Sequence, residues 1–249
     1  MKISLITVSY NSAATIKDTI ESVLSQDYKN IEYIIVDGNS KDHTLDIIKS
    51  YGNRIKWLSE PDKGIYDAMN KGIKMATGDV IGILNSDDFY SSNEVVSKVA
   101  RSFEVENTDA IFGDLVFVNP DNLNRVVRTY SSKGWHPGKF AWGFMPAHPT
   151  FYVRKEFYGL YGLYKTDYKI AADYELLIRF LYVHKLRYRY LPLSMVTMRK
   201  GGVSSNGIRS NVILNREIIR GCRENGIRTN EVLVYSKYFV KLFELKLWR

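Results

Sequence analysis

One cysteine, Cys222, stands among 249 residues. A single thiol excludes an intramolecular disulfide and suits a reducing compartment. No apolar run reaches the length of a membrane-spanning helix, and the apolar start, Lys2 to Tyr10, is too short for a signal peptide or a span. It reads as a strand. The chain has no internal repeat and no low-complexity tract. No Gly-x-Gly-x-x-Gly follows the first strand and no Gly-Lys-Ser/Thr loop occurs, which counts against a dinucleotide oxidoreductase and a P-loop enzyme. Thr7 to Thr15 holds no Gly, Lys or Arg, so the basic phosphate loop of a nucleotidyltransferase is missing too. Acidic residues are scarce at one end. From Lys185 onward 14 Lys and Arg face 4 Asp and Glu, leaving residues 1–184 with 21 against 23.

What is present is an ordinary globular composition, 45% hydrophobic and 25% charged, with a net charge of +8. This length suits one large α/β domain, or one domain with an extension. A balanced body with a basic end argues for a localised negative partner: nucleic acid, anionic lipid or a phosphorylated substrate. A nucleic-acid-binding module is the non-enzymatic alternative, but the basic residues lie at one end without a recognisable binding motif.

Hydrophobic periodicity predicts alternating strands and helices through residue 90. Strands are expected at Lys2–Ser9, Ile31–Val36, Ile55–Ser59 and Val80–Leu84. The helices between them begin near Asn11 or Ser12, near Ser40, and at Ile65, the last closed by Gly78 as a left-handed C-cap. Such alternation means a mostly parallel sheet covered by helices. Further on come a helix at Glu94–Phe103, a hairpin of Ala110–Val118 with Arg125–Tyr130, and a loop over 131–149. A helix at 171–184, a strand at Tyr188–Met198 and helices at Val212–Arg223 and Val232–Trp248 complete the chain. Glu175, two residues from Asp173 on a helix, points away from it and reads as structural. Packing is the expected role of Trp135 and Trp142, stacking on a sugar ring the alternative.

Three polar clusters end parallel strands: Thr7 with Ser9, Tyr10 and Asn11; Asp37 with Gly38; and Asn85-Ser86-Asp87-Asp88. Ligands of open α/β sheets bind at that edge. A mononucleotide would suit it, with a hard divalent cation on the Asp87–Asp88 pair bridging phosphate oxygens.

The residues that carry these clusters resemble family 2 glycosyltransferases, the inverting group with the GT-A fold. The matching stretches are Ile-Thr-Val-Ser-Tyr-Asn (6–11), Ile-Ile-Val-Asp-Gly-Asn-Ser-Lys-Asp-His-Thr (34–44) and Gly-Ile-Tyr-Asp-Ala-Met-Asn-Lys-Gly (64–72). Ala-Thr-Gly-Asp-Val-Ile-Gly-Ile-Leu-Asn-Ser-Asp-Asp (76–88) and Ala-Asp-Tyr-Glu-Leu-Leu-Ile-Arg (172–179) follow in order. The wording of 62–72 is most similar to the subgroup that builds bacterial O-antigen and capsule repeat units.

The resemblance implies a Rossmann-like, mostly parallel central sheet flanked by helices. It implies a catalytic domain over 1–205, with a nucleotide-sugar half (1–90) and an acceptor half (91–205), and a basic amphipathic helical extension over 206–249. Asp37 would bind the uracil or ribose of a donor, most simply a UDP-sugar, in a pocket lined by Thr7, Ser9 and Tyr10. Asp62, Asp67 and Asn70 would face that donor. Asn85 to Asp88 stands where the family has Asp-x-Asp. Asn85 brings no charge, so Mn²⁺ or Mg²⁺ falls to Asp87 and Asp88, with Asp88 favoured, while Asn85 and Ser86 contact the donor. Asp173 matches the catalytic Asp, with Ala172 in place of the preceding Glu. His148, Arg199 and Lys200 are candidates to contact acceptor or diphosphate, with 199–202 as a lid. The sugar would be a hexose or N-acetylhexosamine. A glycan or polyprenyl-diphosphate-linked acceptor implies a cytoplasmic enzyme touching the inner face of the plasma membrane through 232–249; packing of that helix on the domain or in a homodimer is the alternative.

Overall fold

The computed structural model describes residues 1–105, 108–201 and 207–246. The first half contains β1 (Ile3–Ser9), α1 (Ile16–Leu24), β2 (Ile31–Asp37), α2 (Thr44–Ser50), β3 (Lys56–Ser59), α3 (Ile65–Met75) and β4 (Val80–Ile83). Next come β5 (Phe89–Tyr90), α4 (Val95–Phe103), β6 (Ala110–Asn119), β7 (Asn122–Tyr130), β8 (Tyr152–Arg154) and α5 (Glu156–Tyr161). The chain ends with α6 (Ala172–Leu177), β9 (Tyr188–Arg199), α7 (Ile208–Glu224) and α8 (Glu231–Lys246).

All strands join one sheet in the order β3-β2-β1-β4-β8-β6-β9-β5, with β7 added on β6. The β3-β2-β1-β4 half is wholly parallel. β8 enters antiparallel between β4 and β6, and β6 runs parallel to β9. Every residue of β1 is buried, as expected of a strand covered on both faces. The chain's alternation sorts the two layers. Ile3, Leu5, Tyr33 and Ile35 face α1, α2 and α4, while Ile6, Val8, Ile34 and Val36 face α3, α6 and α7. On α1 the buried stripe is Ile16, Thr19, Ile20 and Val23, and each fully buried aliphatic side chain contributes about 1.5–3 kcal/mol.

The expected α/β class and the β-α alternation through residue 90 are borne out. Several details differ. The helix expected over 171–184 is α6 followed by a single π-helical stretch, Ile178–Val183. The 131–149 loop contains the 3₁₀ turns Pro137–Trp142 and His148–Thr150. Gly78 is not a left-handed cap, because α3 ends at Met75 and the next residue, Ala76, is extended. Gly78 is needed for a close approach: a Cβ there would lie 2.6 Å from Ser4 Oγ and 2.8 Å from Ser4 N. Ser40 caps no helix; it turns back onto Asp37.

The C-terminal helices share the main core. Ile218, Ile219, Cys222, Ile227 and Val234 pack with Tyr174, Leu177 and Phe180. Burial pushes the Cys222 thiol up to about 11. The Lys237 side chain is buried at 3% exposure beside Gly143, so it leaves the exposed basic stripe expected of this helix. Side chains from Phe239 onward lie outside the described residues, as does Gly202 of the expected lid. Among the described residues no helix is long and apolar enough to cross a membrane.

Candidate active site

The chain leaves β1 toward β2 on one side and returns through α3 to β4 on the other. The loops after β1 and β4 therefore part, and the crevice between them is where α/β sheets take ligands. Two loops wall it. Asn11 is left-handed (φ 50°); its Oδ1 accepts Lys41 N at 2.8 Å and its own N–H donates to Ser40 Oγ at 2.8 Å. The Ser12 hydroxyl shares a 2.8 Å hydrogen bond with Ser86. The β1, β2 and β4 ends are thus stapled together.

Asp37 closes β2 and is 1% exposed. One oxygen accepts the Ser9 and Ser40 hydroxyls, the other Ser40 N at 3.0 Å and Ser59 Oγ at 2.7 Å. Asp37 thus shapes the pocket wall at the β2 end, its two oxygens engaged by four protein donors. Thr7 is fully buried and bonded to the Tyr33 hydroxyl, so it supports the floor and lines no pocket. The reachable groups are Tyr10, 61% exposed, and the half-buried Asp62. They flank Gly38, where a Cβ would lie 2.5 Å from Asp62 Oδ2 and 3.4 Å from the Tyr10 ring. An aromatic face beside a carboxylate is a slot for a planar, hydrogen-bonding ring. Asp67 accepts Lys63 N at 3.1 Å and orders the loop carrying Asp62. Asn70 is structural: its amide donates to Tyr164 O at 2.8 Å and accepts Tyr164 N at 2.9 Å.

Beyond β4, Asp87 is partly exposed while Asp88 is fully buried. Burial and the Asp87 charge push the Asp88 carboxyl well above the usual range, against the pull of Asn85 and Arg199. Asp88 Oδ1 and Asn85 Oδ1 are buried without a partner. Arg199 is 11% exposed and bonds the Asp87 carbonyl and Asp18. It is a clamp between α1 and this loop. Lys200 is exposed.

Asp173 sits in the first turn of α6 at 15% side-chain exposure. Its Oδ2 lies 3.2 Å from His148 Nδ1 and its Oδ1 accepts Tyr174 N at 2.8 Å. The His148 turn packs against β4 and β6, which sets the pair beside the strand that leads into the Asp87 loop. Tyr66 opens α3 just after the Asp62 loop. Burial, and then the nearby Asp173 charge, push its hydroxyl far above its ordinary value. The structure thus gathers Tyr10, Asp62, Asp87, His148 and Asp173 around one sheet edge. Glu175 faces away and is fully buried, paired with Arg179 at 3.0 Å and Lys165 at 2.9 Å. Trp135 is packed among Phe112, Phe140 and Tyr188, whereas Trp142 is 48% exposed. Ser59 and Tyr66 were beyond the reach of sequence reasoning; neither carries a local signal apart from lying near a strand end or helix start.

Residues 4–158 match the sequence profile described as Glycosyl transferase family 2. The chain belongs to this family. Within it, the PGL/p-HBAD biosynthesis glycosyltransferase of Mycobacterium bovis BCG is 28% identical over 225 residues, 86% of this chain and 82% of its own. An uncharacterised glycosyltransferase of Mycobacterium tuberculosis is 32% identical over 180 residues, 71% and 68% of the two chains. Among solved structures, S. aureus TarS 1–349 in complex with UDP-GlcNAc superposes with a TM-score of 0.68 at 21% identity, over 89% of this chain and 66% of that fragment. The chain spans 39% of the longer TarS chain. The mannosyltransferase PcManGT of Pyrobaculum calidifontis, in complex with GDP-Man and Mn²⁺, gives 0.67 at 17% identity, over 90% and 63%. These structures share the GT-A fold of the family.

The family's divalent cation can be tested against the residues present. Among the described residues no three acids, histidines or cysteines cluster as a cage. A magnesium-type site needs only one or two carboxylates plus substrate phosphates, and two unpartnered buried oxygens at Asn85 and Asp88 fit a missing positive neighbour. Within the pair Asp87 is the partly exposed carboxylate and Asp88 the buried one.

Proposed function

We propose that the chain transfers a sugar, a hexose or N-acetylhexosamine, from a UDP-sugar to a glycan hydroxyl with inversion. The carrying observation is the convergence at one sheet edge of the Tyr10–Asp62 slot, the Asp87–Asp88 pair and an Asp173 carboxylate held by His148. The slot takes the uracil. The acids sit where the diphosphate ends. Asp87, with Asp88 behind it, would hold Mn²⁺ or Mg²⁺, which would supply positive charge for the departing diphosphate. Asp173 accepts the proton of the acceptor hydroxyl as its oxygen bonds to the anomeric carbon and the bond to the nucleoside diphosphate breaks. His148 aligns that carboxylate.

A thermal-shift panel of UDP-glucose, UDP-galactose, UDP-N-acetylglucosamine and GDP-mannose, each with Mn²⁺, Mg²⁺ or EDTA, tests this. The reading expects a metal-dependent shift with at least one UDP-sugar. A panel in which no uridine or guanosine compound shifts the midpoint counts against it. A lipid-linked acceptor in surface polysaccharide assembly rests on two supports: the wording of 62–72 and the basic C-terminal end.

A further inference from the structure

The loop entering α6 is held from two sides. Glu217, in mid-α7, accepts three successive backbone N–H groups: Lys169 N at 2.7 Å to Oε1, and Ile170 N and Ala171 N at 2.9 Å each to Oε2. From the opposite side the Tyr66 hydroxyl donates to the Ile170 carbonyl. Successive amides aimed at one point form a nest for an anion, and here a carboxylate from a distant helix fills it. Asp173 follows two residues later. The attachment of α7 does not need this contact, because Ile218, Ile219 and Cys222 already bury against the Tyr174 side of α6.

We propose that Glu217 is a positioning residue for Asp173. Its carboxylate fixes the 169–171 backbone, and so fixes the place and direction from which Asp173 meets the acceptor hydroxyl. This role rests on the glycosyl-transfer reading above. It makes α7 part of the catalytic arrangement, although it lies outside the stretch matched by the family profile.

The test uses the full chain with the UDP-sugar giving the largest panel shift, and reads UDP release with water as acceptor. Glu217→Gln keeps the volume but offers an NH₂ to donors. It is expected to lower kcat about 10- to 100-fold, as a misplaced catalytic group does, with donor KM and UDP affinity unchanged. Glu217→Asp, which keeps the charge, recovers part of the rate. Adding Glu217→Gln to Asp173→Asn lowers the rate no further, since the effect runs through that carboxylate. Wild-type kcat in Glu217→Gln beside an inactive Asp173→Asn overturns the role alone. So does a parallel loss of donor affinity and rate, which marks a merely structural contact. Wild-type turnover by Asp173→Asn overturns the base assignment, and this role with it.

Discussion

At the scale of single residues, exposure decides which acids can act. Asp37, Asp87, Asp88 and Asp173 all carry the same chemistry, but Asp37 takes four protein hydrogen bonds and Asp88 is fully buried. Asp87 is the member of the Asp87–Asp88 pair open to solvent. Asp87→Asn should therefore weaken Mn²⁺-dependent UDP binding by about 10- to 100-fold, the scale of losing a metal-site interaction, and leave metal-free binding unchanged by calorimetry. Equal affinity of mutant and wild type would return the site to Asp88. The strand-end clusters and Asp173 were legible because polar residues ending apolar runs stand out in any sequence. Which of them face solvent was not. Thr7 lies two residues inside the strand end and points into the α1 layer, and Ser9 is spent on Asp37. A motif names a position, whereas hydrogen-bond occupancy depends on residues such as Ser59, 22 positions away from Asp37.

At the scale of elements, the long periodic segments were readable and the short ones were not. β8 has three residues and α5 six, too few to show a period. Yet β8 joins the parallel half of the sheet to the mixed half. The opposite edge of the sheet from the active site is tied by Glu32. Its carboxylate accepts Lys56 Nζ at 2.6 Å, Ser4 Oγ at 2.6 Å and Thr77 N at 2.7 Å, so β1, β2, β3 and the α3–β4 loop meet on one group. Burial alone would raise its pKa; the hydrogen bonds from Lys56, Ser4 and Thr77 outweigh burial and hold it well below the usual carboxylate range. A group depressed in the folded state stabilises above its unfolded pKa, about 4.3 for Glu, and that stability is lost as pH falls toward the folded value. Urea unfolding should show wild type more stable than Glu32→Gln at pH 7, with the gap narrowing below about pH 4. A gap that stays constant with pH would remove the charge from the explanation.

At the scale of the whole molecule, charge and packing divide the C-terminal end. The surplus of positive residues after Lys185 was plain in the sequence, but the burial of Lys237 and the sharing of one core by α6, α7 and α8 depend on tertiary contacts. The membrane reading therefore rests on the charges that remain. Full-length protein should float with phosphatidylglycerol vesicles at low salt, and a chain ending at Arg228 should float less. Equal flotation would leave α8 as a packing helix only. The central claim is that this sheet edge moves a sugar, with Asp173 taking the acceptor proton. Its most direct measurement is the rate of UDP release by Asp173→Asn beside its UDP affinity by calorimetry. The account predicts a rate lowered by about 10²- to 10⁴-fold, the usual worth of a general base, with UDP affinity unchanged. Wild-type turnover in that variant would contradict it.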